Sequence, residues 1–265
     1  MNTMTPVTMM TGIELAIVAF FGLAVGSFLN VVIHRVPRGE SVVSPGSRCP
    51  ACGYSLRALD NIPVISYVVL LGRCRQCGIR ISPRYPLVEI ATAVLFVLHY
   101  FVFGWTPLLA VRLLFAAAMV ALFAIDLEHH LLPDVITLPG IGAGLAASLF
   151  LPPGIRDSVI GILAGGGVLW LIGEAYYRYS GEEGMGGGDV KMLGMIGAFL
   201  GWQLVIVTLV FSSIAGSVIG ILLIVTRRGG LKYALPYGTF LAIAALVASL
   251  AGAQIVDWYV GMYYP

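Results

Sequence analysis

Apolar runs long enough to cross the roughly 30 Å hydrocarbon layer of a bilayer recur along most of this chain, and they leave few folds open to it. In lipid, backbone polar groups must be satisfied within a helix or a closed barrel, and runs of this length dictate helices. Eight helices are predicted, over residues 13–33, 86–103, 107–126, 134–151, 157–178, 190–202, 204–226 and 235–257. The sixth is short and rich in glycine, and it reads equally well as part of a broken or tilted element with the seventh. Composition agrees: 59% of residues are apolar, 11% are charged and mean hydropathy is +0.95, whereas about a quarter of a soluble domain is charged. The expected fold class is an all-α polytopic membrane protein with about eight transmembrane helices.

Lys and Arg are retained on the cytoplasmic side of membranes. Eight lie between Arg35 and Arg84, and Arg178, Lys191, Arg227, Arg228 and Lys232 bring one face to 13 of the 15 under the eight-span topology. Only Arg112 and Arg156 fall elsewhere. Both termini are then expected outside. The stretch Met1 to Glu14 carries no Lys or Arg, which is the reverse of a secretory signal. The net charge of +2 follows from this topology and does not point to nucleic acid. The 33 glycines read as close helix packing in lipid.

The sizeable polar segment, residues 34–85, separates the first helix (residues 1–33 with its outward terminus) from a transmembrane core at 86–265. It holds all four cysteines, as Cys49-Pro-Ala-Cys52 and Cys74-Arg-Gln-Cys77, with 21 residues between the pairs and a glycine after each. Two such knuckles place four thiolates around a tetrahedral zinc, with Gly relieving the turn beneath it. The alternative is two disulfides, which are rare in the reducing cytoplasm where the charge count puts this loop. Four thiolates leave zinc no open position for water, so the metal is expected to be structural. A module of this size has little core of its own, and the metal supplies stability to it.

Acidic residues beside spans are functional candidates. Glu14, Asp257, Glu40, Asp60 and Asp157 are satisfied by solvated surface roles. Asp126 follows the apolar run Leu113 to Ile125, and Asp189 follows the glycine-rich stretch Gly181 to Gly188. Topology puts both at one depth on the cytoplasmic face. Two carboxyls close enough to repel share one proton. The charged member can take a proton from attacking water while the protonated one binds the carbonyl oxygen, which is peptide hydrolysis. Helix ends suggest the roles: Asp189 at a helix N-terminus is favoured as the anion, and Asp126 at a C-terminus as the acid. Equally open from the residues alone is that the two merely cap helices or pair with Arg178 and Lys191.

Gly186-Gly187-Gly188-Asp189 matches the G-x-G-D signature of intramembrane aspartyl peptidases. The longer stretch from Gly181 through Asp189 to Met192 resembles bacterial type IV prepilin peptidases. So do Gly26-Ser-Phe-Leu-Asn30 through Pro37, Asn61-Ile-Pro63 through Cys74 with Ser82 to Pro86, and Asp126 through Asp134. The resemblance implies a bifunctional inner-membrane enzyme. It would remove the leader of type IV prepilins or type II secretion pseudopilins and then methylate the new N-terminal amine with S-adenosylmethionine. Asp126 and Asp189 match the catalytic aspartates. Gly186, Gly188 and Lys191 are candidate substrate-binding residues, and Glu182 and Glu183 are placed to attract a basic leader. The paired C-x-x-C motif is absent from some relatives, so cleavage in the family at large does not need zinc.

No glycine-rich strand-to-helix turn marks a methyl-donor site. Glu89 beside Arg84 is a candidate for a buried role or a salt bridge. His129 and His130 read as solvated interfacial residues. The rival reading is a multi-pass small-molecule transporter with a structural zinc loop; interfacial acids and the lack of visible inverted symmetry weigh against it. A zinc hydrolase would need an open coordination site. The oligomeric state is not readable from the sequence.

Overall fold

The computed structural model describes residues 11–181, 186–226 and 236–263. Among these it contains helices and no strands, with isolated bridges at Arg48 with Ser55 and Arg73 with Arg80. The helices are α1 (Gly12–Arg35), α2 (Ile65–Val69), α3 (Arg84–Phe103), α4 (Pro107–His129), α5 (Asp134–Ser148), α6 (Ile155–Ile162), α7 (Val168–Ser180), α8 (Gly187–Leu200), α9 (Trp202–Val225) and α10 (Tyr237–Tyr263). A π-helical turn, Leu163–Gly167, joins α6 to α7. Each predicted helix has a counterpart, but the count of about eight spans is not confirmed. Six described helices are long and apolar enough to cross a membrane. The two that fall short are α5, of 15 residues, and α8, of 14. At 1.5 Å per residue these rise about 22 and 21 Å, against roughly 30 Å of hydrocarbon.

Contacts divide the chain into two units, residues 1–32 with 41–105, and residues 33–40 with 106–265. In the first, α1 crosses α3 at glycines: a Cβ at Gly22 would lie 2.6 Å from Ala93 Cα, and one at Gly26 would lie 2.6 Å from Glu89 Cα. Asn30 Nδ2 donates to Tyr85 O at 3.0 Å. Glu89 is buried and accepts the backbone N–H of Val64 at 2.7 Å, so its carboxylate ties the polar segment to α3. Val64 has φ +61°, a conformation that β-branched residues rarely adopt.

In the second unit α8 is the central helix. Every residue from Met192 to Leu200 is buried, against Phe115, Met119 and Leu122 of α4 and Leu241 and Ala245 of α10 among others. Close approach depends on small residues: a Cβ at Gly161 of α6 would meet Gly197 O at 2.6 Å, so backbone packs on backbone. A short helix ending inside protein needs partners for its last carbonyls. Ser158 Oγ donates to Ala198 O at 2.7 Å, and the buried Arg112 donates to Phe199 O at 3.3 Å. Gly201, with φ +82°, then breaks the chain between α8 and α9, separating the two as distinct helices.

Candidate active site and metal centre

Asp126 lies one turn inside the C-terminal end of α4, which continues to His129 before His130 caps it in the left-handed conformation. Asp126 is 5% exposed. Asp189 is the third residue of α8. The fold brings Asp126 and the start of α8 that carries Asp189, 63 residues apart in sequence, together around Leu132. Leu132 fills the space beside them. A Cβ at Gly188 would approach Leu132 Cβ to 2.8 Å, and one at Gly238 would approach Leu132 Cδ1 to 2.8 Å and Asp126 Oδ2 to 3.0 Å. A side chain at either position would have to displace Leu132. Gly186, before α8, has its Cβ position 3.3 Å from Asp189 Oδ2.

A third element completes the site, and the sequence reading missed it. Asp126 Oδ2 accepts the backbone N–H of Thr239 at 2.7 Å and its hydroxyl at 3.1 Å. α10 opens at Tyr237 directly after Pro236. A helix N-terminus presents unpaired N–H groups that a capping side chain usually takes. Pro236 has no side-chain acceptor, and Asp126 of another helix takes the place of one. Pro-Tyr-Gly-Thr at a helix start was the available signal. It was obscured because the predicted helix began two residues earlier and carried no acid near its start.

The proposed neutralising partners are engaged elsewhere. Lys191 Nζ bonds both oxygens of Asp134, at 2.7 and 2.8 Å, and Arg178 pairs with Glu174 at 2.9 Å. Glu182 and Glu183, like Arg227, Arg228 and Lys232, lie outside the described residues. Glu128 meets His129 at 3.9 Å.

The four cysteines of the first unit converge, with all four Sγ atoms within 4.8 Å of one another. None is in a disulfide. The two knuckles repeat one hydrogen-bond pattern: Cys49 N–H donates to Tyr54 O and Gly53 N–H to Cys49 O, while Cys74 N–H donates to Ile79 O and Gly78 N–H to Cys74 O, all at 2.8–2.9 Å. Gly53 and Gly78 both have φ +71°, which only glycine adopts freely. Cys49 Sγ and Cys77 Sγ, from different knuckles, are 3.9 Å apart. Tetrahedral thiolates with Zn–S near 2.3 Å would be about 3.8 Å apart, so this set fits a metal ion. Asp60 is not the solvated residue expected. Its side chain is 1% exposed and bonds Arg75 at 2.7 Å, Tyr54 Oη at 3.1 Å and the backbone N–H of Arg57 at 3.3 Å. The Arg75 guanidinium holds its carboxyl below the usual carboxylate range.

Comparison with known proteins joins these two sites. Residues 20–103 match the Bacterial Peptidase A24 N-terminal domain, and residues 113–221 match the Type IV leader peptidase family. The prepilin leader peptidase/N-methyltransferase of Aeromonas salmonicida is 41% identical over 92% of this chain and 93% of its own length. The proteins of the same name from Pseudomonas aeruginosa (38%, over 90% of each chain) and Myxococcus xanthus (44%, over 79% of this chain and 63% of the relative) are also similar. No solved structure matches. The two domains, in this order and with relatives aligned over nearly the whole length, define a multi-pass bacterial peptidase. This chain belongs to the type IV leader peptidase family. Family and apolar helices together fit an inner-membrane protein.

Proposed function

We propose that this enzyme is a prepilin peptidase and N-methyltransferase that cuts through Asp126 and Asp189 at the cytoplasmic edge of the membrane. The observation that carries this reading is the convergence of Asp126 of α4 and the Gly188-Asp189 start of α8 on Leu132, with Lys191 and Arg178 committed to Asp134 and Glu174. A prepilin has a basic leader followed by an apolar helix, and its cleavage bond would sit at the interface that the Lys and Arg distribution assigns to the cytoplasm. One carboxylate takes a proton from water as it attacks, and the other binds the carbonyl oxygen. Gly186 and Gly188 leave room for an extended backbone, Lys191 is a candidate substrate contact released from Asp134, and Glu182 and Glu183 would attract the leader. Prepilins or pseudopilins are the substrate class, and membrane lipid is the solvent. The transporter alternative is not favoured, because the family and the relatives are peptidases.

Zinc is the metal proposed for Cys49, Cys52, Cys74 and Cys77, in a structural role, since four thiolates close its coordination shell. S-adenosylmethionine is implied by the relatives' names. The described residues contain no strand and so no strand-to-helix cradle for it, and methyl transfer rests on the family relationship. The direct test is prepilin cleavage by the purified protein in detergent or vesicles beside Asp126→Asn and Asp189→Asn. Full-rate cleavage by either variant rejects the dyad. Methyl transfer to leaderless pilin is followed separately.

A further inference from the structure

We propose that Thr239 is a positioning residue that holds Asp126 as the ionised member of the pair, leaving the shared proton on Asp189. This rests on the two-aspartate reading above and assigns the roles within it, opposite to what the helix ends of α4 and α8 suggest. That expectation set Asp189, at the start of α8, against Asp126, at the end of α4. The tertiary structure adds a second helix start: in the first turn of α10 the Thr239 N–H, which also reaches Pro236 O at 3.2 Å, donates to Asp126 Oδ2 at 2.7 Å. Both aspartates thus face a helix N-terminus, and this contribution nearly cancels between them.

What differs is direct hydrogen bonding. Asp126 Oδ2 receives two donors from one residue, the N–H at 2.7 Å and the hydroxyl at 3.1 Å, and Thr239 is itself buried, 6% exposed. Among the described residues no donor reaches the Asp189 carboxylate. Charge-assisted hydrogen bonds in a buried site outweigh a helix terminus, and they favour the anion. The other titratable groups around Asp126 are few. His130 acts on it from the end of its own helix, with Glu128 and His129 paired beside it. α8 contributes Asp189 and Lys191, α5 contributes Asp134, which Lys191 holds, and α10 contributes Tyr237, whose hydroxyl meets Ser212 at 3.1 Å.

The assignment gives each oxygen a task. Both Thr239 bonds fall on Oδ2, so Oδ1 is the base. Water attacks the scissile carbonyl carbon, its proton passes to Asp126 Oδ1, and the Asp189 proton goes to the carbonyl oxygen, giving a neutral gem-diol. As the C–N bond breaks, Asp126 returns its proton to the leaving amine and a gem-diol hydroxyl returns one to Asp189. The starting protonation is restored.

The test compares wild type, Thr239→Val and Thr239→Ser in prepilin cleavage from about pH 5 to about pH 9. Thr239→Val keeps the shape and the backbone donor but loses the hydroxyl. Its acid limb should move up by about one pH unit, with kcat about tenfold lower below neutrality and KM within about twofold. Thr239→Ser should keep the wild-type profile. A Thr239→Val profile superimposed on wild type, or Thr239→Ser as impaired as Thr239→Val, overturns the assignment. Unfolding temperature in detergent checks the fold, and Thr239→Ala replaces the valine variant under the same criteria if that one unfolds. Inactive Asp126→Asn and Asp189→Asn beside a flat Thr239→Val profile would break this inference alone. Full-rate cleavage by either asparagine variant would break the two-aspartate reading beneath it.

Discussion

Each half of the four-cysteine centre is built within one tight turn of chain, whereas no two groups of the carboxylate site come from the same element. Cys49 and Cys52 share a knuckle whose hydrogen bonds are repeated at Cys74 and Cys77, so only the meeting of two near copies is left to the fold. Asp126, Asp189 and Thr239 come from α4, α8 and α10, and each helix must be in register for the site to exist. The first kind of site is secured by local geometry that fits a metal ion. The second is secured by the packed core around α8, and a change of one methyl group can reach it.

The largest effect expected is at the carboxylates themselves. Asp126→Asn and Asp189→Asn should each lower prepilin cleavage by about a thousandfold or more, measured by a gel-shift assay of leader removal, while both proteins retain zinc. Loss of zinc on either substitution would show that the two regions are not independent. Next comes the metal. Cys74→Ser, or chelation of the purified protein, should abolish bound zinc and open the segment around Ala58 to Val69 to protease, while cleavage falls by less than about tenfold. A thousandfold loss of cleavage would place the module in the reaction and collapse the contrast.

A methyl group tests the tertiary site more finely. Gly238→Ala puts a Cβ 2.8 Å from Leu132 Cδ1 and 3.0 Å from Asp126 Oδ2. Overpacking of this kind costs about 1–3 kcal/mol, and a displaced Asp126 should cut kcat roughly 10- to 100-fold. Gly142→Ala, which meets nothing within 4 Å, should match wild type. The smallest effect is a pH response of the module. The carboxyl of Asp60 is lowered by Arg75, so its contribution is present above the unfolded value near pH 4. That contribution is lost as pH falls through the lower folded value. At neutral pH Asp60→Asn should therefore be more protease-sensitive than wild type in the module, and the difference should shrink on acidification. A constant difference would remove Asp60 from the module's pH response.

Much of this was legible in the sequence. Hydrophobic length located every helix except the short α2, because lipid demands that a backbone satisfy itself locally. The knuckles were visible because their chemistry is a fixed spacing followed by glycine. The count of about eight spans was not confirmed because a run of apolar residues does not reveal that α8 is sheathed by protein from Met192 to Leu200. There it can be shorter than the bilayer once Ser158 and Arg112 satisfy its last carbonyls. Asp60 was misread because its partner Arg75 lies 15 residues on, in the second knuckle.

The sequence by itself determined that this chain is helical and apolar enough for lipid, and it singled out two acids and four thiols as candidate groups, since these follow from residue type and spacing. Only the tertiary structure decided what surrounds each acid. The helix ends of α4 and α8 pointed to one distribution of the proton, and the start of α10, 113 residues from Asp126 in sequence, points to the other. A carboxylate responds to the donors within hydrogen-bond reach, and those donors are chosen by packing.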